Sequence, residues 1–183
     1  MSLIISKIQK AKADNKIICI CINTIKWNNR LIGYVKKIYS DNKFNLKVID
    51  EFGQNKLIKT VLFSTIKSLE IGGSYNDNLE TLNKSGFVKS KTKTKYFLSR
   101  QQDLCTKLYE LKNLKTLCTF FFKEEFSIGV VIGISNQELS IKNITFDGRN
   151  DGTSVYDVTA LTKIRIGSAI ENKITFLKNK KLY

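Results

Sequence analysis

The 183 residues include no histidine and no proline. Without histidine there is no imidazole to work as a general base near neutral pH, to activate a serine or cysteine, or to ligate a metal. Without proline there is no proline-rich recognition segment. No apolar run approaches the roughly 20 residues that span a bilayer. Met1-Ser2-Leu3-Ile4-Ile5-Ser6-Lys7 lacks the apolar core and small-residue cleavage site of a secretory signal, so a cytoplasmic protein is expected. No Gly-rich loop ends in Gly-Lys-Ser or Gly-Lys-Thr. Neither enzymatic activity nor a cofactor is expected from this inventory. Acidic residues are scarce, 16 against 31 Lys and Arg, which leaves a net charge of +15.

The remaining composition, 42% hydrophobic and 26% charged, is that of a globular chain. Cys19, Cys21, Cys105 and Cys118 match neither C-x-x-C redox spacing nor a paired zinc cluster, and are expected as small core residues of a reducing compartment. Asp147-Gly148-Arg149-Asn150-Asp151-Gly152 alternates oxygen donors as a calcium loop does. Loop position twelve counted from Asp147 is Val158, not a bidentate Glu, so a wide hairpin turn is expected and no metal site.

Sliding the chain by 95 residues aligns Ile49 with Ile144, Gly53 with Gly148, Ile71 with Ile166, Gly72 with Gly167 and Leu82 with Leu177. Two copies of one unit is the economical reading; coincidence between isoleucine-rich strands is the alternative. In the first copy, Leu3, Ile4, Ile8 and Ala11 mark a helix stopped by Asp14-Asn15. Strands are expected at IICICIN, LIGYVKKIY, KFNLKVIDE, LIKTVLF and NLETL. In the second copy, Leu98, Leu104, Leu108 and Leu111 mark the helix, and LCTFFF, IGVVIGI, LSIKNITF, SVYDV and KITFL the strands. Five short strands in so few residues bury little unless they close on themselves, so the expected class is mainly β (α+β), with two tandem small five-stranded barrels, each preceded by a helix. The expected division is 1–82 for the first helix and barrel, 83–97 for a basic connector and 98–183 for the second. Gly33 and Gly129 fall inside strands, where glycine marks a sharp bend.

A helix, bent strands, a glycine early in strand two and a late glycine turn resemble the Sm-like (LSm) barrel of ring-forming RNA-binding proteins. Gly33, Val35 and Asp41-Asn42-Lys43-Phe44-Asn45 echo that family's first motif, and Ile71-Gly72-Gly73-Ser74-Tyr75 its second, without the second motif's arginine. In the second copy these become Asn136-Gln137-Glu138-Leu139-Ser140 and Ile166-Gly167-Ser168-Ala169. The resemblance implies that Asn45 reads a base edge in the loop before the third strand, that Phe44 packs inward, and that Gly72-Gly73 lets a backbone approach a nucleotide; an exposed strand position for Asn45 and a core position for Phe44 account for the same residues. Src-homology-like and WYL-type barrels share the strand pattern.

Charge is uneven: residues 1–82 carry +6, residues 83–116 carry +7 and residues 117–183 carry +2. In an extended segment Lys89, Lys91, Lys93 and Lys95 would form one row with a step of about 6.5 Å, near the phosphate spacing of a single strand. Tyr96 and Phe97 beside them offer a stacking face. A solvated linker in an AT-rich coding background accounts for the same lysines. Trp27, beside Lys26 and Arg30 at an expected hairpin tip, suits base stacking, a protein anchor or a cover for the barrel end. The leading expectation is a non-enzymatic nucleic-acid-binding protein, RNA ahead of DNA. The alternative is a protein–protein interaction module, such as an adaptor or an immunity or antitoxin partner, joined to another chain or a second copy through barrel edge strands.

Overall fold

The computed structural model describes residues 2–23, 30–40, 42–89, 93–98 and 103–180. The chain divides into two compact units, Met1–Val88 and Lys89–Tyr183. Among the described residues the fold is α+β, with antiparallel strands in two sheets and four helices.

The first unit runs α1 (Leu3–Ala13), β1 (Ile17–Ile22), β2 (Arg30–Ile38), β3 (Lys43–Ile49), β4 (Asn55–Leu62), a 3-10 turn at Phe63–Thr65, β5 (Ile66–Ile71) and α2 (Ser74–Lys84). Its hydrogen-bonded order is β4-β3-β2-β1-β5. The second unit runs β6 (Lys95–Leu98), α3 (Leu104–Asn113), β7 (Cys118–Phe122), β8 (Phe126–Ile134), β9 (Glu138–Ile144), β10 (Asn150–Asp157), a 3-10 turn at Val158–Ala160, β11 (Leu161–Ile166) and α4 (Ala169–Asn179). Its order, β10-β9-β8-β7-β11-β6, repeats the first with one strand added at the β11 edge. Each ladder ends without pairing β4 to β5 or β10 to β11, so hydrogen bonding closes neither sheet into a barrel among the described residues.

The duplication extends to details. α1 stops at Asp14, Asn15 turns left-handed (φ 49°), and the Lys16 N–H returns to the Ala11 carbonyl at 2.8 Å. α3 stops in the same way, with Lys115 at φ 48° and the Thr116 N–H on Leu111 O at 3.0 Å. Both are Schellman-type ends, which satisfy carbonyls the helix itself leaves unpaired. A Cβ on Gly33 would lie 2.0 Å from Lys47 O, and one on Gly129 2.3 Å from Lys142 O. Those contacts are on the partner strand, so these two positions admit only glycine where β2 crosses β3 and β8 crosses β9.

One sheet face in each unit packs on the leading helix. Ile8 and Ala11 of α1 meet Ile18, Ile20, Phe44, Leu46 and Val61. Leu108 and Leu111 of α3 meet Phe120, Val131, Leu139, Ile141 and Ile164. In the second unit α4 adds a smaller cluster, with Ile174 against Ile128 and Ile144.

Several expectations need correction. NLETL and KITFL are not strands but lie in α2 and α4. The fifth strand of each unit lies upstream, at Ile66–Ile71 and Leu161–Ile166. In α2 the apolar anchors Leu79 and Leu82 are three apart and both buried, which is helical spacing. α4 opens on a capping box: Ser168 accepts from the Ile170 N–H at 3.3 Å and Glu171 from the Ser168 N–H at 2.6 Å. The stretch 83–97 is not uniformly a connector, because Lys84 closes α2 and Lys95–Leu98 is a strand paired with β11. Leu98 therefore belongs to β6, and the helix begins at Leu104. Of the cysteines, Cys105 is exposed on α3 rather than in the core; Cys19, Cys21 and Cys118 are buried, and all four are free thiols.

Candidate nucleic-acid interface

In the second unit, strand register gathers a cationic and aromatic face. β7 pairs with β11 so that Phe121 is opposite Lys163 and Thr119 opposite Arg165. β11 pairs with β6 so that Arg165 is opposite Tyr96 and Lys163 opposite Leu98, while β8 sets Phe126 opposite Phe121. Alternation turns these side chains away from Phe120 and Ile164, which are fully buried in the core.

The Lys163 ammonium lies 4.4 Å from the Phe121 ring centroid and 5.2 Å from that of Tyr96. The Arg165 guanidinium lies 5.5 Å from Phe121. Phe121 and Phe126 are 6.2 Å apart, and Phe126 meets Phe146 edge-on at 6.3 Å. Tyr96, Phe126 and Phe146 are each about half exposed. Cations above ring faces are favourable contacts, and open ring faces beside fixed positive charge accept a base and its phosphate together.

The two cations differ. Arg165 Nε donates to Glu171 Oε1 at 3.0 Å and Nη2 to Thr119 Oγ1 at 3.0 Å, and the Thr119 hydroxyl donates to the same carboxylate oxygen. Glu171 is almost wholly buried and also caps α4, so Arg165 is locked and its charge largely answered within the fold. Lys163 has no carboxylate partner among the described residues.

The first unit carries none of this at the matching places. Its register pairs Cys21 with Ser68, Cys19 with Glu70 and Cys21 with Arg30, where the second unit has Phe121 with Lys163, Thr119 with Arg165 and Phe121 with Phe126. Arg30 bonds Glu70 at 2.9 Å and its Nη1 lies 3.8 Å from Cys19 Sγ. Burial raises the Cys19 thiol above its ordinary value, against the opposing pull of Arg30.

The residues expected from sequence are dispersed. Trp27 and Lys91 lie outside the described residues, as does Asp41 of the motif echo. Arg30 opens β2 and is engaged as above. Lys89 and Lys93 are exposed, and Lys95 begins β6. Lys95 and Tyr96 point to opposite faces of β6, so they do not form one site: Phe97 shares the Lys95 face, under the Lys107 ammonium at 4.6 Å, and only Tyr96 joins the Lys163 face. Asn45 is not in a loop but inside β3. Its amide donates to Tyr39 Oη at 3.0 Å and accepts from Thr60 Oγ1 at 3.0 Å. Phe44 packs inward, wholly buried against Phe63. Gly72-Gly73 joins β5 to α2 rather than two strands, and both have positive φ with open space where a Cβ would stand.

Sequence reading missed Phe121, Phe126, Phe146, Lys163 and Arg165. The signal is in Leu161-Thr162-Lys163-Ile164-Arg165-Ile166, where basic and apolar residues alternate with the period of a half-buried strand. The run Phe120-Phe121-Phe122 reads as core throughout, yet its middle member faces out.

At the hairpin turn Asp147 pairs with Arg149 at 2.8 Å and accepts from the Thr145 hydroxyl. Among the described residues no three His, Cys, Asp or Glu side chains gather as metal ligands, and no helix is long and apolar enough to cross a membrane. No protein-family model, curated protein or solved structure matches the chain.

Proposed function

We propose that the chain is a non-enzymatic nucleic-acid-binding protein that holds a single strand on the Tyr96–Phe121–Phe126 face of its second unit. The observation that carries this reading is Lys163, unpaired by any described carboxylate and set between the Phe121 and Tyr96 rings. Bases stack on the rings while Lys163 and the exposed Lys89 and Lys93 supply positive charge along the backbone. RNA is the preferred ligand on the strength of the Sm-like resemblance. Support for that resemblance comes from each unit's plan: a helix, then five antiparallel strands in one ladder, with Gly33 or Gly129 inside the second of them and a glycine turn after the last. On this reading each unit is an Sm-like small barrel that hydrogen bonding leaves open between its last two strands.

Fluorescence anisotropy with labelled single-stranded RNA and DNA at low salt tests the proposal. Binding that weakens as salt rises, with a log–log slope of about −0.7 per phosphate contacted, supports it. Absence of binding to either strand at low salt overturns it.

A further inference from the structure

The two units differ in one architectural respect. In the second, β6 covers the edge of β11, with Phe97 opposite Ile164. Phe97 and Leu104 pack against the core there, and the Lys107 ammonium lies 4.6 Å from the Phe97 ring. Ile164 is fully buried as a result.

The first unit has every receiving part of that arrangement. Ile4 and Lys7 of α1 stand where α3 has Leu104 and Lys107, since Ile8 and Ala11 match Leu108 and Leu111 in the two cores. Leu69 stands where β11 has Ile164, as pairing to Glu70 and Arg165 through β1 and β7 fixes. Among the described residues no strand pairs with the outer edge of β5. Leu69 is only partly buried and Ile71 is 38% exposed. At this place there is a cavity of about 550 Å³ lined by Leu3, Ile4 and Lys7 of α1 and by the stretch from Leu69 to Gly73, Glu70 included. Backbone groups on an open edge, and beside them a recess that mixes Leu3, Ile4, Leu69 and Ile71 with the charged Lys7 and Glu70, are what an added strand uses.

We propose that the β5 edge is a strand-addition site for an extended segment of a partner protein, taken antiparallel, with an aromatic side chain opposite Leu69 and a basic one opposite Glu70. The aromatic ring enters the recess beneath Lys7 as Phe97 lies beneath Lys107. The two edges differ in charge at three places, β5 having Lys67, Ser68 and Glu70 where β11 has Thr162, Lys163 and Arg165, and the basic preference comes from the last of these. β6 presents Tyr96 to Arg165, whereas the same position of an incoming strand meets Glu70, whose side chain is half exposed even with Arg30 beside it. This site is on a different unit from the proposed nucleic-acid face and does not depend on it.

The probe is a synthetic peptide of residues 91–100 carrying Tyr96→Lys, which suits Glu70 and repels Arg165. Added to the isotope-labelled full chain, it is expected to shift the backbone amide signals of Ser68–Ile71 and of Leu3–Lys7. Replacing Phe97 by Ala in the peptide should weaken binding at least tenfold, a comparison that leaves the protein unaltered. Leu69→Ser in the chain should weaken it similarly. The inference is overturned if the peptide leaves those signals unmoved at millimolar concentration, if the shifts fall on β11, or if the Phe97→Ala peptide binds equally well. It is also overturned in favour of a second copy if the chain self-associates through β5 and the peptide fails to displace it.

Discussion

The ammonium of Lys163 sits 4.4 Å from the centre of the Phe121 ring, at positions where the other copy of the fold carries Ser68 and Cys21. One scaffold has thus been given two different outer faces. The first is compact and internally neutralised by Arg30 and Glu70. The second displays rings with a cation between them, and beside them on the same face a buried ionic network of Arg165, Thr119 and Glu171.

That network sets the first prediction. Glu171 answers Arg165, accepts from Thr119 and closes the α4 cap, with side-chain exposure of 3%. Glu171→Ala leaves a largely buried guanidinium without its partner and removes a cap, and should lower unfolding free energy by about 3 kcal/mol. Urea denaturation measures the loss; Glu171→Gln, which keeps one of the two accepting oxygens and fills the space, should cost less.

The paired glycines give a matched experiment. Gly33→Ala and Gly129→Ala each push a methyl into a carbonyl oxygen of the neighbouring strand, at 2.0 and 2.3 Å. Each should destabilise its own unit by about 3 kcal/mol, since backbone cannot yield as a side-chain tip can. Gly133→Ala, where the nearest atom is Ser140 Cβ at 3.1 Å, should cost under about 1 kcal/mol.

Thiol accessibility should separate one cysteine from three. Cys105 is exposed and the others are buried, so one equivalent should react quickly with a disulfide reagent in the native protein and four after unfolding. Burial pushes the Cys118 thiol up to about 12, with nearby Glu171 adding to the effect. The folded state thus favours the neutral thiol. Its contribution to stability is complete below the ordinary value of 9.0 and is lost as pH rises from 9.0 towards 12. Cys118→Ala should remove that part of the alkaline decline.

Two turn aspartates act at the other end of the pH scale. Burial alone would raise Asp50, but the Gln54 N–H, the Lys56 ammonium at 3.0 Å and the Phe52 N–H outweigh it and hold the carboxyl below its ordinary 3.8. Asp147 is likewise lowered, by Thr145 and Arg149 acting against burial. A depressed folded pKa contributes stability that is present above 3.8 and lost as pH falls through the folded value. Thermal melting should accordingly change little from neutral pH to about 4 on account of these groups and fall below it, with a shallower fall in the Asp50→Asn, Asp147→Asn variant.

Much of the fold was legible in sequence because it lies in period and repetition. The 95-residue offset, the Asp14-Asn15 stop and the strand glycines 33 and 129 all mark local conformations that residue type dictates. The ends of the units are ambiguous in sequence for an equally local reason. Leu79-Glu80-Thr81-Leu82 fits two periods, and only the glycine pair before it and the packing of Leu79 and Leu82 decide for helix. Ser168 and Glu171 spelled out a capping box that settles the same question in the second unit. The candidate site was less accessible, because it is made by register between strands distant in sequence. Nothing local to Tyr96 indicates that Arg165 will stand opposite it, or that Lys163 will sit between its ring and that of Phe121. The lysine row runs up to Tyr96 in sequence, yet alternation within β6 sends Lys95 and Tyr96 to different sides.

The central claim is most directly tested by anisotropy of a labelled uridine strand of about 12 nucleotides, within the usual range of such sites, titrated with the wild-type chain and with Phe121→Leu, Lys163→Ser. That double variant keeps an apolar residue in β7 and installs the other unit's Ser68 in β11. Loss of one stacked base and one phosphate contact predicts affinity weakened by about 10- to 100-fold and a salt slope reduced by about 0.7, with melting temperature little changed. Affinity and salt slope equal to those of the wild type would contradict the account.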